Sequence, residues 1–186
     1  MRWVAAFALT AILHPAVRVR DVNGVEHRPL QVEKGHAQAV FFVAHDCPIS
    51  NYYSHEIRRI CDEYSKRGLG CSLVLIEPNL SDADATQHAK EYGHGDYPKI
   101  VDRTHALVAA TGVTITPEVV VIKDDETIAY RGRIDNFYVA LGRSRRVVTE
   151  HDLRDTLDAV FSGKPVPKSE TQAVGCYIPD LSAYSQ

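Results

Sequence analysis

The chain has 186 residues, 45% of them hydrophobic and 24% charged, which is enough for one globular domain with its own core. Its formal net charge of −3 and pI near 6.3 exclude the basic surface that nucleic-acid binding requires. We therefore expect no nucleic-acid partner.

The N-terminus has the layout of a secretory signal. Arg2 precedes an apolar run over residues 3–13, and a stretch ending in a small residue follows. The run is too short to span a bilayer, and it lacks the period-two alternation of a first strand. We interpret residues 1–17 as a signal peptide, cleaved between His14 and Arg18. The sequence thus predicts an exported protein, periplasmic or extracellular, without a stable membrane span.

The remaining chain predicts an α/β domain over residues 18–165 and a C-terminal tail over residues 166–186. Long apolar runs indicate buried strands, and apolar residues at helical spacing indicate helices. The predicted elements are a hairpin (17–30), a strand (37–44), a helix (50–67), a strand (71–76), a helix (81–92), a short strand (97–101), a short helix (104–110), an antiparallel strand pair (118–133), a loop (135–148) and a helix starting at a cap-like Thr149.

Cys47 stands between the first buried strand and the helix that follows it. A helix N-terminus presents unpaired N–H groups and a partial positive charge, and both favour a thiolate over a thiol. A cysteine at this place has a pKa below the usual value of about 8.5. The alternative is a buried cysteine that serves only as a small hydrophobic side chain. The strand before it and Pro48 after it favour a reactive thiol.

Three further cysteines are present, and four cysteines allow three disulfide connectivities. Cys61 falls on the apolar face of the predicted helix, and Cys71 begins the next strand. Both are expected to be buried, either as free core residues or as a structural pair. Cys47 and Cys176 fall in segments predicted as loops and are the two candidates for chemistry.

The order of elements resembles the thioredoxin fold. Over about residues 17–163 the chain resembles a redoxin of the thioredoxin superfamily, which includes alkyl hydroperoxide reductase and thiol-specific antioxidant domains and thiol–disulfide oxidoreductases. Residues 41–50 match the active-site segment around the cysteine, and residues 113–117 match a loop whose proline is cis in that family. The resemblance implies an α/β fold, with a central mixed β-sheet flanked by helices, an N-terminal β-hairpin and a C-terminal tail.

The resemblance also implies the site. Pro117 should be cis, Thr116 should lie beside Cys47, and Pro48, Thr116 and Pro117 should border the groove that receives a substrate segment. Cys47 would be the nucleophile. No bound cofactor and no metal are implied, because the chemistry resides in sulfur atoms.

The chain departs from the family at several positions. Ser50 stands where thioredoxins have their second active-site cysteine, so no resolving thiol is adjacent. Val40 and Ala44 occupy the places of the proline and threonine of the peroxiredoxin pattern, which weakens a peroxidase assignment. Asp46 replaces an aromatic residue, and its charge would raise a neighbouring thiol's pKa, whereas a protonated His45 would lower it.

The leading hypothesis is an exported thiol–disulfide oxidoreductase. Cys47 would attack a protein or small-molecule disulfide, a second thiol would resolve the mixed disulfide, and an external thiol would act as reductant. Cys176, on a flexible-looking tail, is the internal candidate for the second thiol, and Gly175 before it permits close backbone approach. Alternatively, the tail covers the site, or Cys176 is free or forms a structural bridge.

Three alternative functions stay open. A thiol-dependent peroxidase would form a sulfenic acid at Cys47 with peroxide. A copper-binding protein would use Cys47 and Cys176 with a histidine as soft ligands for Cu(I). A non-catalytic binding module would have a Cys47 with an ordinary thiol pKa. The histidines available for copper are His45, His55, His94 and His105.

Overall fold

The computed structural model describes residues 17–184, so residues 1–16 of the predicted signal peptide lie outside the described residues. The elements in chain order are β1 (Val19–Arg20), β2 (Glu26–His27), β3 (Ala37–Val43), α1 (Pro48–Ser65), β4 (Leu69–Leu75), α2 (Asp82–Glu91), β5 (Lys99–Val101), α3 (Ala106–Thr111), β6 (Ile115–Thr116), β7 (Glu118–Lys123), β8 (Ile128–Gly132), β9 (Tyr138–Ala140), β10 (Arg143–Ser144), α4 (Asp152–Phe161), β11 (Cys176–Tyr177) and a 3₁₀ turn (Leu181–Tyr184).

A five-stranded mixed sheet forms the centre of the domain, with the strand order β5-β4-β3-β7-β8. β4 runs parallel to β3 and β5, whereas β7 is antiparallel to β3 and β8. β3 lies between β4 and β7, and its continuous apolar sequence leaves Phe41 and Phe42 almost completely buried. The predicted mixed sheet and its antiparallel strand pair are confirmed.

The helices bury their apolar stripes in the same core. In α1 the buried stripe includes Tyr53, Ile57 and Ile60, and in α4 Leu153 and Leu157 are fully buried. α1 connects the parallel strands β3 and β4, so its N-terminus lies where β3 ends. None of the helices within residues 17–184 combines the length and apolar character needed to cross a membrane.

Cys61 and Cys71 form a disulfide that joins α1 to β4. Both residues are buried, at 5% and 9% exposure. The sequence left a free pair or a structural bridge open, and the structure has the bridge.

Two local predictions are wrong. The segment 135–148, predicted as a loop, contains a hairpin of β9 and β10, whose two- and three-residue strands are too short to show a period. α4 begins at Asp152 with His151 as N-cap, not at Thr149. The Thr149 hydroxyl does not cap the helix but accepts a hydrogen bond from Asn136 at 2.8 Å.

The C-terminal tail is docked along the domain, although the sequence suggested a flexible segment. The backbone N–H of Arg131 donates to the carbonyl of Ser169 at 3.0 Å, and that of Thr171 donates to the carbonyl of Arg131 at 3.1 Å. The Arg131 side chain also pairs with Glu170 at 2.6 Å. The tail therefore starts as an extra extended segment beside β8, and its later residues reach the loop before β7.

Candidate functional site

Cys47 is the N-cap of α1, with Pro48 at the first helical position. Its extended backbone continues from β3, and its carbonyl accepts the first helical hydrogen bond from Asn51 at 3.0 Å. Cys47 thus lies at the start of the helix, as its place after the first buried strand and before Pro48 predicted. Its side chain is only 1% exposed, whereas Pro48 beside it is exposed.

The loop before β7 contacts the sulfur of Cys47. The peptide bond between Thr116 and Pro117 is cis, as predicted. The carbonyl oxygen of Thr116 lies 3.7 Å from Sγ of Cys47, which confirms that Thr116 is beside the cysteine. Thr116 is completely buried, and it is the last residue of β6.

Cys176 reaches the same place from the C-terminal tail. Its Sγ lies 2.7 Å from Sγ of Cys47, and both cysteines are free thiols. The prediction that Cys176 lies in a loop is wrong, because the residue belongs to β11. This strand pairs antiparallel with β6, so that Cys176 is opposite Thr116. A two-residue strand has no period from which the sequence could show it. The fold brings together Cys47, Thr116, Pro117 and Cys176. Cys47 and Cys176 are 129 residues apart in the sequence.

The two thiols have opposite pKa shifts. Burial raises the pKa of Cys47, but hydrogen bonds from Cys176 and from Ser50 outweigh it, so the pKa of Cys47 lies below its usual value. Burial raises the pKa of Cys176 to about 12, and the hydrogen bond to Cys47 and its charge act in the same direction. When the pair loses one proton, Cys47 therefore becomes the thiolate and Cys176 keeps its proton.

Gly175 allows this close approach. A Cβ atom at Gly175 would overlap the carbonyl group of Thr116 and lie 3.2 Å from Cδ of Pro117. Since backbone atoms of β6 block that space, only glycine fits here without moving the strand. The close approach expected of Gly175 is confirmed.

Sequence reasoning missed two carboxylates that shape the site. Glu118 accepts hydrogen bonds from the backbone N–H groups of Thr114 and Ile115, at 3.0 and 3.4 Å. Glu77 accepts from the N–H of His45 at 2.8 Å, and its charge, with that of Asp46, contributes to the raised pKa of Cys176. Glu118 follows Pro117 directly, and this proximity to the cis-proline was the available signal.

An aromatic group lies near the site. Burial raises the pKa of Tyr138, and the charge of Cys47 contributes to the same shift. Tyr52 stacks on Phe137 with ring centroids 4.6 Å apart, and Tyr138 meets Tyr52 edge-on at 5.4 Å. The hydroxyl of Tyr53 donates to Asp135 at 2.6 Å. These residues come from α1 and the unpredicted hairpin, so the sequence did not indicate the group.

The histidines considered for copper do not join the two thiols. Within residues 17–184, the group of potential metal ligands within 4.8 Å of one another is His45, Asp46 and Glu77, which offers mainly oxygen. His94 lies against Tyr97 at 2.9 Å, and His105 contacts the carbonyl of Ile76 at 2.8 Å. Among residues 17–184, no histidine forms a group of potential ligands with Cys47 and Cys176.

Several solved structures are similar to this chain. An uncharacterized conserved protein from Geobacillus kaustophilus has 25% identity and a TM-score of 0.79, with 90% of this chain and 89% of that chain covered. A hypothetical protein from Sinorhizobium meliloti has 23% identity and a TM-score of 0.75, covering 87% and 89%. A secreted Mycobacterium tuberculosis disulfide oxidoreductase, described as homologous to E. coli DsbE, has 14% identity and a TM-score of 0.53, covering 63% and 84%.

These likenesses show that the fold is thioredoxin-like, as the sequence predicted. No protein of curated function matches the chain. The model of the Redoxin family matches residues 13–137, a range that contains both Cys47 and Pro117. Because this match spans more than half of the sequence, the chain belongs to the Redoxin family.

Proposed function

We propose that this chain is a thiol–disulfide oxidoreductase in which Cys47 is the nucleophile and Cys176 the resolving thiol. The observation that carries the proposal is the 2.7 Å separation of their sulfur atoms. A disulfide bond is about 2.05 Å long, so the two thiols need little movement to form one. Membership of the Redoxin family supports a thiol redox function.

The reaction starts with the Cys47 thiolate. It attacks one sulfur of a substrate disulfide, forms a mixed disulfide, and releases the other sulfur as a thiolate that takes up a proton. Cys176 then loses its proton and attacks Sγ of Cys47. The second substrate thiol leaves, and a Cys47–Cys176 disulfide remains. Two electrons have passed from the protein to the substrate, and an external thiol restores the reduced pair. Each step is reversible, so the same residues also oxidise substrate thiols.

Substrates are protein or small-molecule disulfides, and Pro48, Thr116 and Pro117 border the place where they react. The protein acts in an exported compartment, periplasmic or extracellular. Export is supported by the layout of residues 1–17. It also agrees with structural neighbours described as a secreted disulfide oxidoreductase and an exposed lipoprotein thioredoxin.

A peroxidase is less well supported. Val40 and Ala44, at the positions of the peroxiredoxin proline and threonine, are apolar and buried, at 0% and 6% exposure. They offer no side-chain donor to a peroxide oxygen near Cys47.

Mass spectrometry of the oxidised and reduced protein, with differential alkylation and peptide mapping of the four cysteines, tests the proposal. We expect a Cys47–Cys176 bridge that forms and breaks reversibly while the Cys61–Cys71 bridge persists. As a matched variant, Cys176→Ser should accumulate a mixed disulfide at Cys47 with a substrate. If Cys47 stays free after oxidation and alkylates no faster than a model thiol, the proposal fails and a binding module takes its place.

A further inference from the structure

The backbone edge beside Cys47 is already occupied by the protein's own tail. Within residues 17–184, β6 pairs with β11 and with no other strand. Cys176 is opposite Thr116, Tyr177 is opposite Ile115, and the N–H of Ile178 donates to the carbonyl of Thr114 at 2.9 Å. A strand edge accepts one partner strand on a given side. A substrate segment therefore cannot pair with this edge while residues 176–178 are bound to it.

The tail also covers the nucleophile. Cys47 is 1% exposed, and the Sγ of Cys176 lies 2.7 Å from its sulfur. A substrate sulfur has to contact Sγ of Cys47 to react, and Cys176 already occupies such a contact on an atom with almost no exposed surface. Access to Cys47 thus depends on departure of the tail.

The tail is attached more firmly at residues 169–171, here called its root, than beyond β11. At the root, the hydroxyl of Tyr130 donates to the carbonyl of Arg133 at 2.7 Å and lies 2.5 Å from the hydroxyl of Thr171. Beyond β11, a cleft of about 460 Å³ separates residues 178–181 from α3. Tyr177 is 77% exposed. The strand can therefore leave the edge while the root at residues 169–171 stays attached.

We propose that residues 175–178 are an internal competitor for a polypeptide substrate: they hold the edge of β6 and cover Cys47, and an extended substrate segment binds only in their place. This inference rests on the proposed function, since it concerns the substrate of the same site. It assigns the substrate to extended polypeptide segments that carry a cysteine.

The register of the tail also defines which segment fits. A substrate cysteine in the position of Cys176 places the preceding residue where Gly175 lies. There a Cβ would overlap the carbonyl group of Thr116. A segment with glycine immediately before its cysteine therefore fits this register, and one with alanine has to shift.

The redox state controls whether residues 175–178 can leave the edge of β6. In the oxidised protein the Cys47–Cys176 bond tethers the strand to the site. Two thiol groups of an external reductant break this bond and become a disulfide themselves, leaving the Cys47 thiolate, the Cys176 thiol and one proton that passes to the solvent. The pairing to β6 and the hydrogen bond between the two sulfur atoms then hold the strand in place of a covalent bond, so the reduced protein is the form that opens.

Full-length variants built on Cys176→Ser test this inference, because they separate access from resolution. The probe is a peptide with the sequence of residues 173–179, its cysteine joined to thionitrobenzoate in a mixed disulfide. Attack by Cys47 forms a Cys47–peptide disulfide and releases coloured thionitrobenzoate.

Adding Gly175→Ala should displace the strand and speed thionitrobenzoate release about tenfold, because the apparent affinity for the peptide rises with the fraction of protein in the open form. Ile178→Pro, which removes the N–H donor to Thr114, should act likewise.

Gly163→Ala is the matched control, because its added Cβ meets nothing within 4 Å while its positive φ imposes the usual strain. It should leave the release rate unchanged. A second peptide with alanine before the cysteine should react more slowly than the glycine peptide in the opened variants. Hydrogen exchange at the amides of residues 176 and 178, and at residue 176 alone in Ile178→Pro, reports whether the strand has left.

The inference is overturned if exchange shows the strand lost in Gly175→Ala but the peptide reacts no faster. It is also overturned if the amides stay protected in both Gly175→Ala and Ile178→Pro. If the opened variants react with neither the peptide nor a small thionitrobenzoate disulfide, the proposed function fails. In that case the opened variants are mixed with a peptide that has serine in place of cysteine, and hydrogen exchange at the β6 amides is measured. Restored protection of these amides supports competition for the strand edge, and unchanged protection overturns the inference.

Discussion

Glu118 accepts a hydrogen bond from the backbone N–H of Thr114 at 3.0 Å, across the cis-proline turn that lies between them. The same oxygen accepts from the N–H of Ile115 at 3.4 Å. Glu118 is only 8% exposed, so these bonds are shielded from water. One side chain thus holds the segment that places Thr116 against Cys47.

Replacing Glu118 should misplace that segment. In the Glu118→Ala variant two N–H groups lose their acceptor, so the segment that holds Thr116 is less well positioned. We expect disulfide exchange with a peptide to slow about tenfold, which corresponds to an activation free energy higher by about 1.4 kcal/mol. Glu118→Gln keeps an acceptor oxygen and should restore most of the rate. The measurement is peptide exchange compared with alkylation by iodoacetamide, which should change little. Equal exchange rates in the alanine and glutamine variants would contradict this role.

The pH dependence of alkylation should reveal which sulfur holds the proton. Hydrogen bonds at the start of α1 and from Cys176 lower the pKa of Cys47 against the effect of burial, whereas the pKa of Cys176 is raised to about 12. In the reduced protein, Cys47 should therefore show an alkylation midpoint below that of an unperturbed cysteine thiol. Cys176 should react only at much higher pH.

Removing the donor should move that midpoint. Cys176→Ala deletes the S–H group and should raise the pKa of Cys47, so its alkylation at neutral pH becomes slower. Cys176→Ser keeps an O–H donor and should give a smaller shift. Mass spectrometry of alkylated peptides across pH measures both variants. A midpoint that does not move in the alanine variant would show that Cys176 does not support the thiolate.

The Cys61–Cys71 disulfide should affect stability without affecting exchange. It closes a loop of sequence separation 10 between α1 and β4. Replacing both cysteines by alanine should lower the free energy of unfolding by about 2–3 kcal/mol, because the unfolded chain gains conformational freedom. Urea unfolding of the wild type and the double variant measures the difference. A peptide-exchange rate that falls together with stability would instead assign this bridge to the redox cycle.

Asp152 should make the domain acid-sensitive. Its side chain is 3% exposed and accepts from Arg133 at 2.8 Å and from Lys168 at 2.9 Å. Burial raises the pKa of Asp152, but these hydrogen bonds outweigh burial and lower the pKa below the reference value of 3.8. The stabilisation from the carboxylate is therefore present above that reference pH and is lost as the pH falls through the lower folded value.

Asp152→Asn tests that dependence. We expect the variant to be less stable than the wild type by about 1–2 kcal/mol at pH 7. The difference should start to shrink as the pH falls below about 4, where the carboxyl of the unfolded chain takes up a proton, and should vanish below the lower folded pKa. Unfolding by urea at several pH values measures it. A difference that stays constant down to acid pH would mean that the charge of Asp152 is not what stabilises the domain.

The parts of the fold that the sequence predicted have a strong local signal. β3 is apolar apart from Gln38, β4 is apolar apart from Gly70 and Ser72, and α1 has a clear apolar stripe, so their type follows from the residue pattern. The place of Cys47 at a helix start follows from the same two elements. The cis conformation at Pro117 was expected only through the family resemblance.

The parts that were missed depend on contacts between distant residues. β11 exists because it pairs with β6, about 60 residues earlier, and a two-residue strand has no pattern of its own. The β9–β10 hairpin is equally short. Pairing of Cys61 with Cys71 required the distance between a helix and a strand, which no spacing in the sequence provides.

The fixed root of the tail has a kinetic consequence. Four residues, 172–175, connect Thr171, which is bound to β8, to Cys176. Such a short tether keeps the thiol of Cys176 at an effective concentration of millimolar or more near Cys47, whatever the thiol content of the surroundings. A covalent complex with a substrate should accordingly have a brief lifetime in the wild type. Partners trapped on Cys47 should be recovered from Cys176→Ser, and scarcely at all from the native sequence.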